Sequence, residues 1–452
     1  ARWLDGDFRY RRDSSLGGGV RERRNADLRQ LGARATLEGR RGPGGWRVAL
    51  SAEEVDRGIP GKSFAPSDSA RQRESGLTAT ARWTHRLQDL STTLQLHHRL
   101  RRARFRDPAP PLGPPFDHLT DLTETGVLWR TEASPAGRTD VLARPAVGLE
   151  ASVDRRRLRS DVLEDSGART TLDAAVATYG SAALPRLPAT PVVGAAVRGH
   201  RDGLSDSWLG AHEVSLELSL GPGRIRAAHR SSFSPPTAGD LFFRQGVGIR
   251  ANPHLRPERV RSETELGGGL RLGRGAVRAE FSGELFTGDL DDMIVWAPDF
   301  RFVWSPRNVD VRRRGAEVRG ELRHDGWGLS LGGHAARVHT TYRSGGGTPG
   351  SQVIYRPRDT GGATIALTAS RWTAELRARY TGARHPVPAP VNVLEPFWAF
   401  DLSFTGQVEL AGWQLQPGLH VERLLDQRSP FIHAFPEPGR TLSLELRARS
   451  RP

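Results

Sequence analysis

The sequence has no cysteine. Disulfides, thiolate metal sites and cysteine nucleophiles are therefore excluded. Lysine is nearly absent as well: Lys62 is the only one, so arginine carries a net charge of +15. No stretch approaches the roughly 18 consecutive apolar residues of a membrane helix. Hydrophobic residues make up only 37% of 452 positions, few for a soluble chain that would have to fill several cores. Yet 11 Trp and 16 Phe argue against disorder, because disordered segments are poor in aromatics. No leader-like segment opens the chain either. Ala1-Arg2-Trp3-Leu4-Asp5 already reads as part of a strand, so the natural N-terminus is expected to lie upstream.

What the sequence does have is a period of two. Leu31, Ala33, Ala35 and Leu37 alternate with Gly32, Arg34, Thr36 and Glu38. Trp46/Val48/Leu50/Ala52, Leu77/Ala79/Ala81/Trp83, Val214/Leu216/Leu218/Leu220 and Leu442/Leu444/Leu446/Ala448 repeat the pattern. That period belongs to a strand whose two faces meet different surroundings. No amphipathic helix interrupts the series.

The connections carry more information than the strands. One set is tight: Arg41-Gly42-Pro43-Gly44, Gln88-Asp89, Ser134 to Gly137, Gly221-Pro222-Gly223, Gly273-Arg274-Gly275, Asp325-Gly326 and Ala411-Gly412. Gly and Pro there supply the dihedrals of short hairpins. The other set is long and rich in Pro, Gly and Asp: residues 56–73, 106–117, 235–257, 343–357 and 382–396. Long and short connections alternate, as in outer-membrane barrels with short inner turns and long external loops. Counting them gives about ten loops and about nine turns, hence about twenty strands. The fold class expected is all-β, a transmembrane antiparallel barrel, with residues 1–452 forming one continuous sheet.

Charge follows the same alternation. Arg278/Glu280/Glu284, Glu317/Arg319/Glu321/Arg323 and Glu375/Arg377/Arg379 place both signs on one strand face, which fits a hydrated wall. Without a basic stripe or tail, nucleic acid is not an expected partner. Trp129, Tyr179, Trp208, Trp296, Trp304, Trp372, Tyr380, Trp398 and Trp413 lie near strand ends, where barrels carry aromatic girdles.

No catalytic constellation emerges, and the chain is not expected to be an enzyme. Gly267-Gly268-Gly269-Leu270-Arg271-Leu272 lacks the third glycine and the helix of a dinucleotide loop. Asp289, Asp291 and Asp292 have no following Gly and Glu to complete a calcium loop. His97 and His98 point to opposite strand faces and cannot share one metal. No metal site and no cofactor are expected.

The most specific segment begins at Phe233-Ser234-Pro235-Pro236-Thr237-Ala238-Gly239-Asp240-Leu241-Phe242-Phe243. Asn252-Pro253-His254-Leu255-Arg256-Pro257-Glu258, Glu263-Thr264-Glu265-Leu266-Gly267 and Gly315-Ala316-Glu317 follow in order. Asp401-Leu402, Leu424-Leu425-Asp426 and Pro436 to Arg440 close the series. Taken together these resemble the barrel of TonB-dependent outer-membrane receptors. Relative to that family an N-terminal plug domain is expected to be missing. So is a first hairpin, since the family barrel has about 22 strands. The end, Arg447 to Pro452, lacks the usual terminal aromatic, and Arg423 stands where the late turn usually has Asn.

The resemblance implies active uptake of a scarce nutrient across the bacterial outer membrane, a ferric siderophore or vitamin B12 (cobalamin). A TonB-type energy-transducing protein, acting through the missing plug, and outer-membrane lipid are the implied partners. External-loop candidates for ligand binding are Phe242, Phe243, Arg244, Arg250 and His254, an aromatic and cationic set suited to an anionic iron chelate. A passive porin-like diffusion channel is the first alternative, although it would not need the Asn-Pro-x-Leu-x-Pro-Glu segment. A haem receptor is a further one. There the histidine generally lies between the two loop motifs, whereas His254 lies inside the second.

Overall fold

A computed structural model describes residues 2–11, 18–133, 143–162, 168–183, 190–242, 249–299, 303–387 and 391–450. The wall begins with β1 (Arg2–Leu4). A small hairpin of β2 (Phe8–Arg11) and β3 (Val20–Arg23) follows. Next come β4 (Leu28–Arg41) and β5 (Gly44–Gly58), then a second small pair, β6 (Gly61–Lys62) and β7 (Ala65–Pro66). The wall continues through β8 (Arg71–Leu87), β9 (Leu90–Asp107), β10 (Phe116–Ala133), β11 (Ala143–Ser160) and β12 (Ala168–Ala183). After these lie β13 (Thr190–Asp202), β14 (Ser207–Leu220), β15 (Gly223–Ser234) and a single helical turn, α1 (Ala238–Phe242). β16 (Glu258–Arg274), β17 (Val277–Pro298), β18 (Trp304–His324) and β19 (Leu329–Ser344) are mostly longer. The chain ends through β20 (Asp359–Ala369), β21 (Trp372–Thr381), β22 (Phe397–Gly406), β23 (Val408–Leu410), β24 (Trp413–Glu422) and β25 (Thr441–Ser450).

All but the two small hairpins belong to one 21-stranded sheet. Because β23 merely continues β22 past Gln407, the wall has about twenty staves, the number expected of alternating loops and turns. Each stave is antiparallel to its neighbour in sequence, from β1 beside β4 to β24 beside β25. For β25 the only residue register among the described residues is with β24. The two ends of the sheet nonetheless meet through their loops. Ser63 donates its backbone N–H to Ala434 O at 2.8 Å, and the Arg428 guanidinium donates to Arg9 O.

The registers turn the sequence alternation into one apolar band. Leu37 faces Val48, Val48 faces Ala81, Ala81 faces Leu96, and Leu96 faces Val127. Leu266 faces Leu285, and on the far side Val421 faces Leu442. Most of these side chains stay exposed, Leu37 at 68% and Leu285 at 59%, as expected of a surface that meets lipid rather than a protein core. The opposite face carries ion pairs such as Arg130–Glu150, Arg226–Glu213 and Arg271–Glu280.

The tight turns behave as their residues predict. Gly42, Gly221, Gly275 and Gly412 all have positive φ, at no steric cost to glycine. In the Gln88-Asp89 turn the positive φ falls on Gln88 instead. The Ser134 to Gly137 turn lies outside the described residues.

A small packed core sits at the outer end, where β17, β18 and β19 run past the band. Met293, Val295, Ala297, Val309, Val311 and Tyr342 pack there with Val353 and Ile354 from the loop after β19. A bulge between Leu290 and Met293, with Asp292 at φ 60, shifts the register and re-aims the end of β17.

Candidate functional site

A cavity of about 1140 Å³ opens among the outer loops. Its walls come from the loops after β5, β15, β19, β21 and β24 and from the facing ends of β17 and β18. Lys62, Trp296, Trp304, Tyr355, Arg384 and His433 give it an aromatic and cationic lining. Trp304 and Tyr355 pack directly on the outer core, so that core holds one wall in place. Burial raises the Tyr355 phenol above its ordinary pKa. The hydroxyl therefore stays neutral and available as a donor and acceptor.

Arg384 is the most unusual group in the lining. It is only 3% exposed. Nη1 donates to Phe431 O at 3.1 Å and Nη2 to Pro430 O at 3.2 Å. The rings of Phe397 and Phe431 lie 5.4 and 5.5 Å from its guanidinium carbon. Its buried Nε has no hydrogen-bond partner, and among the described residues no ion pair to it is formed. Burial lowers its pKa from the ordinary arginine value, yet a guanidinium remains charged in proteins. The cavity thus holds a cation whose charge is met by carbonyls and rings, an arrangement that favours an anionic guest.

The loop after β15 braces the opposite side. Asp240 in α1 accepts the indole N–H of Trp296 at 2.7 Å and the Thr237 hydroxyl at 2.6 Å. Arg250 donates its backbone N–H to Trp304 O at 2.9 Å. Asn252 accepts from the His254 backbone, and its side-chain amide reaches Pro306 O at 3.2 Å. The loop motif is therefore a set of staples between the loop and the long strands β17 and β18.

Of the residues expected to bind ligand, the three that are described, Phe242, Arg250 and His254, do not line the cavity. Phe242 lies under the Arg169 guanidinium, 3.5 Å from ring centroid to guanidinium carbon. Phe243 and Arg244 lie outside the described residues. Arg250 and His254 are exposed on the loop, and neither lines the cavity. Trp296 and Trp304, read from sequence as girdle residues, belong to the cavity wall instead. Tyr179 bonds to Glu132 rather than joining a girdle, whereas Trp129, Trp208, Trp372, Trp398 and Trp413 are exposed. Arg384, Tyr355 and His433 carried no motif. Arg384 does fall within a loop set apart by its Pro and Gly content.

The other groups weighed from sequence find ordinary partners. Asp289 pairs with Arg312 at 3.0 Å, Asp291 with Arg343 at 3.2 Å, and Asp292 with Arg256. His98 bonds to the Thr125 hydroxyl at 2.8 Å on the outward face. His97 faces inward, with Nε2 3.2 Å from Asp154 and 3.4 Å from Glu124. Gly267 to Gly269 lie inside strand β16.

The family model described as "TonB dependent receptor-like, beta-barrel" matches residues 3–424. No curated protein matches the chain. Among solved structures the chain is similar to "Copper transporter OprC", at 13% identity and a TM-score of 0.70, over 95% of this chain and 73% of that one. It is similar to the ferric citrate transporter FecA in the unliganded form, at 14% and 0.70, over 95% and 72%. It is also similar to the ferric-catecholate import receptor Fiu from K12 E. coli, at 14% and 0.68, over 94% and 76%. At these identities the likeness is one of fold.

Proposed function

Since the chain belongs to the TonB-dependent receptor family, and is thereby an outer-membrane β-barrel of active transport, we propose that its cargo is an anionic ferric chelate of the siderophore type. Receptors of this family are transporters rather than enzymes; they bind ligands such as siderophores and interact with TonB. The observation that carries the choice of cargo is Arg384, a buried guanidinium without an ion-pair partner among the described residues, in an aromatic cavity at the mouth.

A ferric chelate with peripheral carboxylates or catecholates would supply the missing negative charge. Its flat ring systems would stack on Trp296 and Trp304, and its acceptors would meet Tyr355 and Lys62. Arg250 and His254, exposed on the neighbouring loop, would add to the attraction felt on approach. Energy would enter through a plug domain coupled to a TonB-type protein, and cargo would pass along the ion-paired inner wall. Cobalamin is a weaker fit, because it offers little negative charge for Arg384 to meet.

The test is a tryptophan-fluorescence titration of the purified chain in detergent with ferric citrate, a ferric catecholate, cyanocobalamin and haemin. Saturable quenching by one of the ferric chelates is expected, weakened about tenfold or more by Arg384→Gln, a loss of roughly 1.4 kcal/mol. Saturation by cyanocobalamin or haemin alone, or chelate binding indifferent to Arg384→Gln, would overturn the reading.

A further inference from the structure

A second constellation lies on the inner wall, away from the mouth cavity. Asp173 on β12 and Asp202 at the outer end of β13 are both buried, at 3% and 4% exposure. The register pairs Ala174 with Arg201, which sets the two carboxylates side by side. His200 lies two residues before Asp202 on the same strand face, and ligand atoms of all three lie within 4.8 Å of one another. We propose that Asp173, His200 and Asp202 form a binding site for a divalent first-row transition-metal ion, independent of the chelate cavity.

The short loop after β13 holds each carboxylate by one oxygen. Asp173 Oδ1 accepts the Gly203 N–H at 2.9 Å. Asp202 Oδ2 accepts the Ser205 N–H at 2.7 Å and its hydroxyl at 2.5 Å. Such outer partners orient metal ligands in advance. Among the described residues the buried His200 Nδ1 has no hydrogen-bond partner, and Asp173 Oδ2 has none beyond its ion pair with Arg156. Buried polar atoms are rarely left so, and a bound ion is one account of such an exception. The His200 ring is held in place by stacking on Phe233, 5.5 Å between centroids.

Arg156 lies 3.1 Å from Asp173 Oδ2 and 3.8 Å from Glu124, which Arg99 also approaches at 3.8 Å. Asp154, directly across from Asp173, adds a further carboxylate. Arg169 and Arg198 line the same cavity, so a divalent cation would share these carboxylates with the neighbouring arginines. An imidazole with two carboxylates suits manganese, iron(II) or zinc. Calcium, which takes about six to eight oxygen ligands, is disfavoured. Access is open, because His200 and Asp202 line a cavity of about 650 Å³ that faces the lumen.

The test is calorimetric titration of the metal-stripped chain in detergent with zinc chloride and manganese chloride. One ion per chain is expected, with Asp202→Asn and His200→Gln each weakening binding about tenfold or more and His254→Gln leaving it unchanged. Heat-modifiable gel migration checks that each variant is folded. A second measurement spares the ligands: a nitroxide on Leu204→Cys should broaden when manganese binds, whereas one on Gly332→Cys should not. Absence of saturable binding, affinity indifferent to both substitutions, or broadening equal at the two labels would overturn the site.

Discussion

Trp296 donates its indole N–H to Asp240 at 2.7 Å, across 56 residues of sequence. The same carboxylate accepts from the Thr237 N–H and hydroxyl, and Asn252 donates its backbone N–H to Asp240 O at 2.9 Å. One acidic residue thereby ties the loop of residues 235–257 to the strand that forms a cavity wall. Asp240→Ala should strand several donors, at a local cost of about 1–3 kcal/mol. Limited proteolysis checks this: cleavage within 235–257 should accelerate several-fold while the barrel stays intact. An unchanged rate would show that the loop is held by something else.

The inner wall makes a sharper steric prediction. Gly126 stands between His97 and Asp154, and a β-carbon there would lie 1.8 Å from Asp154 Oδ1 and 2.3 Å from His97 Cε1. Gly126→Ala should push the Asp154 and His97 side-chain ends apart, breaking their 3.2 Å contact, and lower stability by about 1 kcal/mol. Gly332→Ala, with nothing within 4 Å, should stay near wild type. Urea midpoints followed by heat-modifiable migration separate the two.

How much of this was legible in the sequence depends on which interaction fixed each feature. The strands and the apolar band were, because Leu31 to Leu37 or Val214 to Leu220 alternate regardless of what lies beside them. The connection count worked for the same reason: turn residues act locally. The loop motif around Asn252 marked the right segment, but its role as staple to β17 and β18 depends on Trp296 and Pro306, far along the chain. Arg384 has no local signature. Its burial arises only when Phe397 and Phe431, from separate parts of the chain, close over it. His97 illustrates the same limit. Its face followed from strand geometry, whereas Asp154 and Glu124 beside it required the register.

The band predicts an asymmetry between neighbouring residues. Leu285 faces outward between Leu266 and Ala316, and Glu284 faces the lumen. Leu285→Arg should cost about 2–4 kcal/mol if it lies near the bilayer midplane, and Glu284→Arg far less. Folding yields into lipid vesicles at graded urea measure the difference. Equal costs would contradict the assignment of faces.

The absence of cysteine permits a clean test of sidedness. Thr348→Cys lies at an exposed position in the long loop after β19, and Asp89→Cys lies in the tight turn between β8 and β9. A membrane-impermeant maleimide should label the former in intact cells and the latter only after the envelope is opened. Labelling in the reverse order would invert the orientation.

Acid should loosen the outer loops at a definite place. Asp426 accepts the Arg440 N–H at 2.9 Å and pairs with Arg428 at 3.0 Å, and Arg428 also reaches Arg9 O. These contacts hold the Asp426 carboxyl below its ordinary range, the Arg440 backbone hydrogen bond being the largest cause. The Arg71 guanidinium does the same for Asp27. A carboxyl depressed in the folded state stabilises that state fully above its unfolded pKa, about 3.9. It loses that contribution as pH falls through the lower, folded value. The contact of Arg9 with the loop of residues 423–440 should therefore be indifferent to pH between about 5 and 8 and weaken below about 4. A fluorophore on Leu425→Cys, an exposed position, should report the change as a quenching step on acidification. Asp426→Asn should shrink that step and leave the neutral-pH signal closer to the loosened state. A step centred near neutral pH, or one untouched by Asp426→Asn, would assign the coupling to another group.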